Sequence, residues 1–185
     1  AFDYAARWRN LASGDISASA TVAPCLVTKS IHTTDISTWN TSETRANGHN
    51  NIESTGLHVW TDTDATGSPD PRKAAGYYAT DFALSALSDK TIAQSIDYQA
   101  TTGITPGLQL VVDLDNNGTN DGILVGESVY GNNWWLTSGS AQFAKDAAPH
   151  NGGGNGSLWY GTPNEWLASF PDANVKAIGY SLGSG

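Results

Sequence analysis

From Trp39 onward, the chain is a series of short apolar runs separated by clusters of turn residues such as ATGSPDP, TTGITPG, DNNG and YGNN. Short runs bounded in this way are typical of β-strands. The pattern predicts strands at LHVWTDT (57–63), YYATDFAL (77–84), QSIDYQA (94–100), LQLVVDL (108–114), GILVGESVY (122–130), NWWLTS (133–138) and VKAIGYSL (175–182).

Two segments have the pattern of short helices. In TPNEWLASFPDA (162–173), Thr162 is placed to cap the first turn, Pro163 suits that turn, and Glu165 completes a capping box. The segment SAQFAKDAA (140–148) predicts a second, weaker helix. An apolar stripe at helical spacing predicts that the first helix packs on the strands, through Trp166, Leu167 and Phe170.

Short strands at this spacing predict an all-β fold, an antiparallel β-sandwich of the jelly-roll type with one or two short helices. Residues 1–40 differ from the rest and are predicted to form an N-terminal arm or extra strands, whereas residues 41–185 form the β-sandwich module. The segment HNGGGNGS (150–157) is predicted to be a long glycine-rich loop.

Composition agrees with this fold and limits the possible partners. Of the 185 residues, 39% are hydrophobic and 15% are charged, and Gly, Ser, Thr, Asn and Asp are abundant, which favours a turn-rich β-protein. The 18 acidic and 9 basic residues give a net charge of −9, which repels nucleic acid and anionic membranes. No apolar run approaches the length of a membrane span.

The single cysteine, Cys25, excludes an intramolecular disulfide, so the fold depends on packing and on any bound metal. The chain has no Met and is rich in Thr, Asn and Gly. This usage is typical of extracellular proteins, and we predict a secreted location.

The segment VVDLDNNGTNDGILVGE (111–127) contains the candidate metal site. Its oxygen-bearing side chains alternate as in the calcium loop of an EF-hand, with Gly118 at the sharp turn. We therefore predict a structural calcium ion bound by five residues of this loop: Asp113, Asp115, Asn117, Thr119 and Asp121.

Two features distinguish this loop from an EF-hand. Leu124 stands where a bidentate glutamate is expected, and the flanking segments are strands, so Glu127 would have to reach back. A hairpin turn without metal is the alternative, since Asn, Asp and Gly are also natural turn residues. Three neighbouring carboxylates favour the cation, because like charges destabilise the fold unless something separates them.

Aromatic residues supply the candidate ligand contacts. In LHVWTDTD (57–64), strand alternation places His58 and Trp60 on the same face as Asp62 and Asp64. An indole beside carboxylates can stack on a sugar ring and bind its hydroxyl groups. The alternative is that Trp60 is covered by the rest of the fold, as most large aromatic residues are.

Three further aromatic residues complete the predicted ligand-binding set. Adjacent strand residues face opposite ways, so Trp134 is predicted in the core and Trp135 nearer the surface. Trp159 and Tyr160, after the glycine-rich segment, are predicted to form a second aromatic surface. A contiguous exposed aromatic patch would mark a binding site.

Few patterns in the sequence point to catalysis. The histidines are far apart without a metal-ligand spacing, and no GxSxG motif is present. The enzyme alternative is a jelly-roll polysaccharide lyase, for which residue type alone nominates Arg45, His49, Lys73, Tyr77 and Tyr78.

From about Glu43 onward, several sequence segments resemble a module of large secreted actinobacterial proteins and of some actinobacteriophage proteins. The segments are TRANGHN, GLHVWTD, KAAGYYATDF, GLQLVVDLDNNGTNDGILVGE, YGNNWWL, QFAKDAAPH and EWLASFPDANVKAIGYSLGSG. The resemblance covers about three quarters of the chain. It implies an accessory β-sandwich carried beside other domains, with no established activity.

Together these observations predict a non-catalytic binding module on the cell exterior or the virion surface. Its expected ligand is a glycan or another cell-surface molecule, and its expected cofactor is a structural calcium ion. The alternative is a structural or decoration protein that assembles with neighbouring subunits through its N-terminal arm and an open sheet edge.

Overall fold

A computed structural model describes residues 37–53, 56–62, 66–87 and 105–183. Within these ranges the fold is mostly β, with a seven-stranded antiparallel sheet, a two-stranded sheet and two short helices. The strands are β1 (Gly48–Glu53), β2 (Gly56–Thr61), β3 (Lys73–Ala83), β4 (Gly107–Asp113), β5 (Gly122–Gly126), β6 (Trp134–Leu136), β7 (His150–Asn155), β8 (Ser157–Gly161) and β9 (Asn174–Gly183). The helices are α1 (Gln142–Asp146) and α2 (Pro163–Ser169), and two 3₁₀ turns span Leu84–Leu87 and Ser128–Tyr130.

The large sheet has the strand order β3-β9-β4-β5-β6-β8-β7, and every neighbouring pair is antiparallel. The strand that comes last in sequence, β9, therefore lies between β3 and β4. The two-stranded sheet is the β1–β2 hairpin, in which His49 is paired with Trp60.

One face of the large sheet carries the hydrophobic core, because alternate residues of its central strands point towards the two helices. Trp166 of α2 is fully buried, and its indole Nε1 donates to the backbone oxygen of Trp134 at 3.0 Å. The core members from the sheet include Leu110, Val112, Leu124, Trp134, Leu136 and Val175. We call this side the core face and the opposite side the open face.

The sequence prediction for α2 is confirmed. The Thr162 hydroxyl accepts from the Glu165 backbone N–H at 3.4 Å, and the Glu165 carboxylate accepts from the Thr162 N–H at 2.8 Å. Both Trp166 and Phe170 of the apolar stripe belong to the core. The second helix is shorter than its segment, since α1 covers only Gln142–Asp146.

Two of the predicted elements were wrong. The glycine-rich segment 150–157 is an edge strand, β7, followed by the turn into β8. Its residues have little strand preference of their own, and its hydrogen bonds to β8 hold it in the extended conformation. The strand predicted for 122–130 ends at Gly126, and a 3₁₀ turn follows it. The strand predicted at 94–100 and nearly all of the N-terminal arm lie outside the described residues.

Candidate functional site

The predicted metal loop joins β4 to β5 in an antiparallel hairpin, as expected. Asp113 ends β4 and is fully buried, and Asp121 precedes β5 and is only 7% exposed. One carboxylate oxygen from each of Asp113, Asp115 and Asp121 lies within 4.8 Å of the other two. These three residues are the part of the predicted ligand set that the fold brings together.

Backbone N–H groups hold the two buried carboxylates of this loop in place. Asp113 accepts from Asn117 N at 3.1 Å and from Gly118 N at 2.9 Å. Asp121 accepts from Leu114 N at 2.7 Å. Gly118 has a φ of 89°, a left-handed conformation that glycine adopts without strain.

The other two predicted ligands, Asn117 and Thr119, form hydrogen bonds that stabilise the turn. The Asn117 side-chain oxygen accepts from Thr119 N at 2.8 Å, and its Nδ2 donates to Asp115 at 2.9 Å. Leu124 is buried in the core. Glu127 lies beyond the far end of β5, where it accepts from Trp135 Nε1 at 3.0 Å, so it does not reach back to the loop.

The β1–β2 hairpin carries Trp60 and His58, which were predicted to bind ligand. The indole of Trp60 is stacked against His49 at 4.8 Å and lies 4.4 Å from the ring of His58. His49 is 3.0 Å from Asp62, and His58 is 2.9 Å from Glu53. The half-buried indole therefore makes these two ring contacts within the hairpin.

Trp135 and Tyr160 face the same side of the sheet, because they are paired across β6 and β8. Trp134 is in the core and Trp135 is half-buried, as the sequence predicted. The backbone of Gly156 lies against the Trp135 ring. The ring of Tyr160 is stacked on His150 at 5.0 Å, so both predicted ligand residues already have partners.

Trp159 lies on the opposite face from Tyr160, so the two do not form one aromatic surface. Its ring packs against the hydrophobic core and has Lys145 Nζ 5.0 Å from its centroid. The five residues predicted to bind ligand are thus divided among the hairpin, the open face and the core face. Strand alternation predicted the directions of Trp134 and Trp135 correctly, but it did not predict which residues would contact the rings.

The open face instead contains a cleft of about 600 Å³, which we call the trough. Its floor crosses the four strands β3, β9, β4 and β5, with neighbouring residues opposite one another, and continues to Thr137, the residue after β6. The floor residues have short or medium side chains that leave the surface concave: Ala79, Ala177, Val111, Ile123 and Thr137.

Polar residues surround this floor. Asn40 is held to the edge strand β3 by two backbone hydrogen bonds with Tyr77, of 2.8 and 2.9 Å, which places the 38–43 segment along one side of the trough. The loop between β4 and β5 contributes Asn120 and Asp121 to another side of the trough. The polar lining includes Asn40, Ser42, Glu43, Asn120, Asp121 and Lys176.

A β-bulge in β9 places Lys176 at the trough. Val111 is paired with Ala177 and Val112 with Val175, so Lys176 is an extra residue relative to β4. Bulges change the direction of a side chain and occur near binding sites. Lys176 lines the trough, and its ammonium donates to Asp81 at 2.9 Å.

A polar network extends from the trough into the sheet. The Lys73 ammonium donates to Glu43 Oε2 at 2.6 Å. The Tyr77 hydroxyl donates to Gln109 Oε1 and lies 3.3 Å from Glu43 Oε2. Burial and the negative charge of Glu43 raise the pKa of Tyr77, which remains a protonated donor. Sequence reasoning missed this group, because Glu43 and Lys73 are 30 positions apart.

The residues nominated for a lyase do not assemble into one site. Tyr78 lies on the core face, with its ring 5.8 Å from that of Trp39, whereas Tyr77 lines the trough. His49 belongs to the hairpin stack, and Arg45 donates to a backbone oxygen at 2.7 Å. The raised pKa of Tyr77 also opposes its use as a general base.

No family model matches the chain, and neither the curated proteins nor the solved structures contain a match to it. Among the residues that the structure describes, no helix is long and apolar enough to cross a membrane.

Proposed function

We propose that the protein is a non-catalytic, extracellular recognition module that binds a carbohydrate chain in the trough. The observation that carries this proposal is the combination of an aliphatic floor across four strands with a polar lining on its sides. A cleft of this size with a few convergent polar groups is the usual form of a ligand site.

The chemistry of the lining favours a polyhydroxylated ligand. Glu43 is an acceptor, Lys176 is a donor, and Asn40 has both kinds of group. A hydroxyl group both donates and accepts, so a sugar is able to satisfy all three. The C–H face of a sugar ring is apolar and suits the floor formed by Val111 and Ile123.

A structural calcium ion at Asp113, Asp115 and Asp121 is part of the same proposal. Asp113 is fully buried beside two other carboxylates, and a cation would offset the repulsion among them. Because Asn120 and Asp121 also line the trough, an ordered loop would fix one of its sides. The ion would stabilise this geometry without taking part in a reaction.

The finer architecture and the location also belong to this proposal. We propose that the large sheet is one layer of a jelly-roll-like β-sandwich, and that the module is secreted or displayed on a virion. The resemblance to accessory modules of secreted actinobacterial and actinobacteriophage proteins supports both statements.

A glycan array followed by calorimetric titration tests the carbohydrate proposal. We expect the wild-type protein to bind at least one neutral oligosaccharide. Ala177→Phe, which fills the floor, should abolish this binding. Ala168→Phe is the matched control, because Ala168 is exposed on α2, and it should bind normally. Failure of the wild-type protein to bind any oligosaccharide at millimolar concentration would refute the proposal.

A further inference from the structure

We infer that the trough selects neutral saccharides over acidic ones, and that Glu43 is the specificity-determining residue. This inference rests on the proposed function and concerns the same site. It follows from how the Glu43 carboxylate is held and from the partners of the other charged residues that line the trough.

Glu43 is fixed at one oxygen and open at the other. Its Oε2 accepts from Lys73 at 2.6 Å and is 3.3 Å from the Tyr77 hydroxyl. Among the described residues, no hydrogen bond reaches Oε1. The Glu43 side chain is 47% exposed whereas that of Lys73 is 11% exposed, so the carboxylate, and not the ammonium, is presented to a ligand.

An ionised carboxylate only accepts hydrogen bonds, so the ligand atom that meets Glu43 must carry a hydrogen. A sugar hydroxyl satisfies this requirement, and a hydrogen bond to a charged group is among the stronger ones. The carboxylate of a uronic acid has no proton to donate at neutral pH. It would place two acceptors and two negative charges against each other.

The remaining charged lining residues do not reverse this preference. Lys176 is the basic residue in the lining, and its ammonium is already 2.9 Å from Asp81. Asp121 also belongs to the lining, and with a calcium ion bound the group Asp113, Asp115 and Asp121 still has a net charge of −1. An acidic sugar therefore meets a lining with two carboxylates and one ammonium that is already paired.

Tyr77 acts as a positioning residue for Glu43. Its hydroxyl proton goes to Gln109, which is itself buried. The Tyr77 hydroxyl and the Lys73 ammonium together hold the carboxylate at the side of the trough. This restriction lets one glutamate discriminate between ligands, because a mobile side chain would turn away from a like charge.

Calorimetric titration with matched pairs of oligosaccharides tests the inference. Each pair consists of a neutral chain and the chain of the corresponding uronic acid. We expect the wild-type protein to bind its best neutral chain at least about tenfold more tightly than the acidic partner, as the loss of one charge-assisted hydrogen bond implies. Glu43→Gln should reduce the ratio to near one. Glu53→Gln, which changes an equally exposed glutamate in the hairpin, should leave it unchanged.

Salt dependence provides a second measurement that needs no variant. Rejection of the acidic chain by charge should weaken as the salt concentration rises, because salt screens exposed charges. Equal binding of both chains by the wild-type protein, or preference for the acidic one, overturns the inference and leaves the proposed function standing. A ratio that is insensitive to both salt and Glu43→Gln also overturns the inference. Binding of neither chain overturns both proposals.

Discussion

The backbone of Gly156 lies directly against the indole ring of Trp135. A Cβ atom added to Gly156 would fall 2.2 Å from Cδ1 of that ring, and the φ of Gly156 is 88°. Both the ring and the backbone conformation therefore require glycine at this position. This contact packs the turn between β7 and β8 against the open face of the sheet.

Replacing this glycine should destabilise the fold. We expect Gly156→Ala to lower the free energy of unfolding by about 1–3 kcal/mol, because it combines overpacking with a strained φ. Gly153→Ala is the matched control, since nothing lies within 4 Å of a Cβ there and its φ is not left-handed. Urea denaturation measures the free energy of unfolding of both variants. If both lose the same amount, the loss does not come from the contact between Gly156 and Trp135.

The capping box of α2 provides a second test. Thr162→Ala removes the acceptor for the Glu165 N–H, and the expected loss of stability is about 1 kcal/mol. Thr162→Ser keeps the hydroxyl and should retain most of the stability. If thermal unfolding shows the serine variant to be as unstable as the alanine variant, the stability does not come from the cap.

The calcium proposal predicts a change in melting temperature. Calcium at 100 times its dissociation constant should stabilise the fold by about 2.7 kcal/mol, and EDTA should remove this gain. Asp115→Asn should lose the response because it removes one carboxylate of the loop. Asp172→Asn, at an exposed turn outside the loop, is the control. A melting temperature that EDTA leaves unchanged would rule out the structural ion.

Alkaline pH should unfold the protein through two buried tyrosines. Burial raises the pKa of Tyr180 to about 12, and burial and Glu43 raise that of Tyr77 further. Above about pH 10 an unfolded chain loses phenolic protons that the folded chain keeps. The free energy of unfolding is therefore unaffected by these groups below pH 10 and falls as pH rises towards 12. Tyr180→Phe should flatten this slope in denaturation series, and an unchanged slope would contradict the prediction.

Features encoded by neighbouring residues were predictable from the sequence. Asp113 and Asp121 are separated by a single turn, so their spacing was enough to place them in one loop. The capping box of α2 likewise depends on Thr162 and Glu165, which are in the same helical turn. Alternation along β6 separated Trp134 from Trp135 because a strand has a period of two.

Features that depend on the pairing of distant strands were not predictable. The floor of the trough places Ala79 beside Ala177, and no local pattern specifies that pairing. The edge strand β7 is rich in glycine and has little strand preference of its own. The partners of the aromatic rings, such as Lys145 on Trp159, also come from other elements.

The position of β9 determines when the trough is completed during synthesis. Since β9 lies between β3 and β4, these two strands cannot be joined in one sheet until the ribosome has made β9. Ala177 is part of that strand, so the trough has no continuous floor earlier in synthesis. Contacts between residues so far apart in sequence form slowly. The nascent chain therefore carries an incomplete sheet, and the trough is completed in one late step when β9 pairs on both sides.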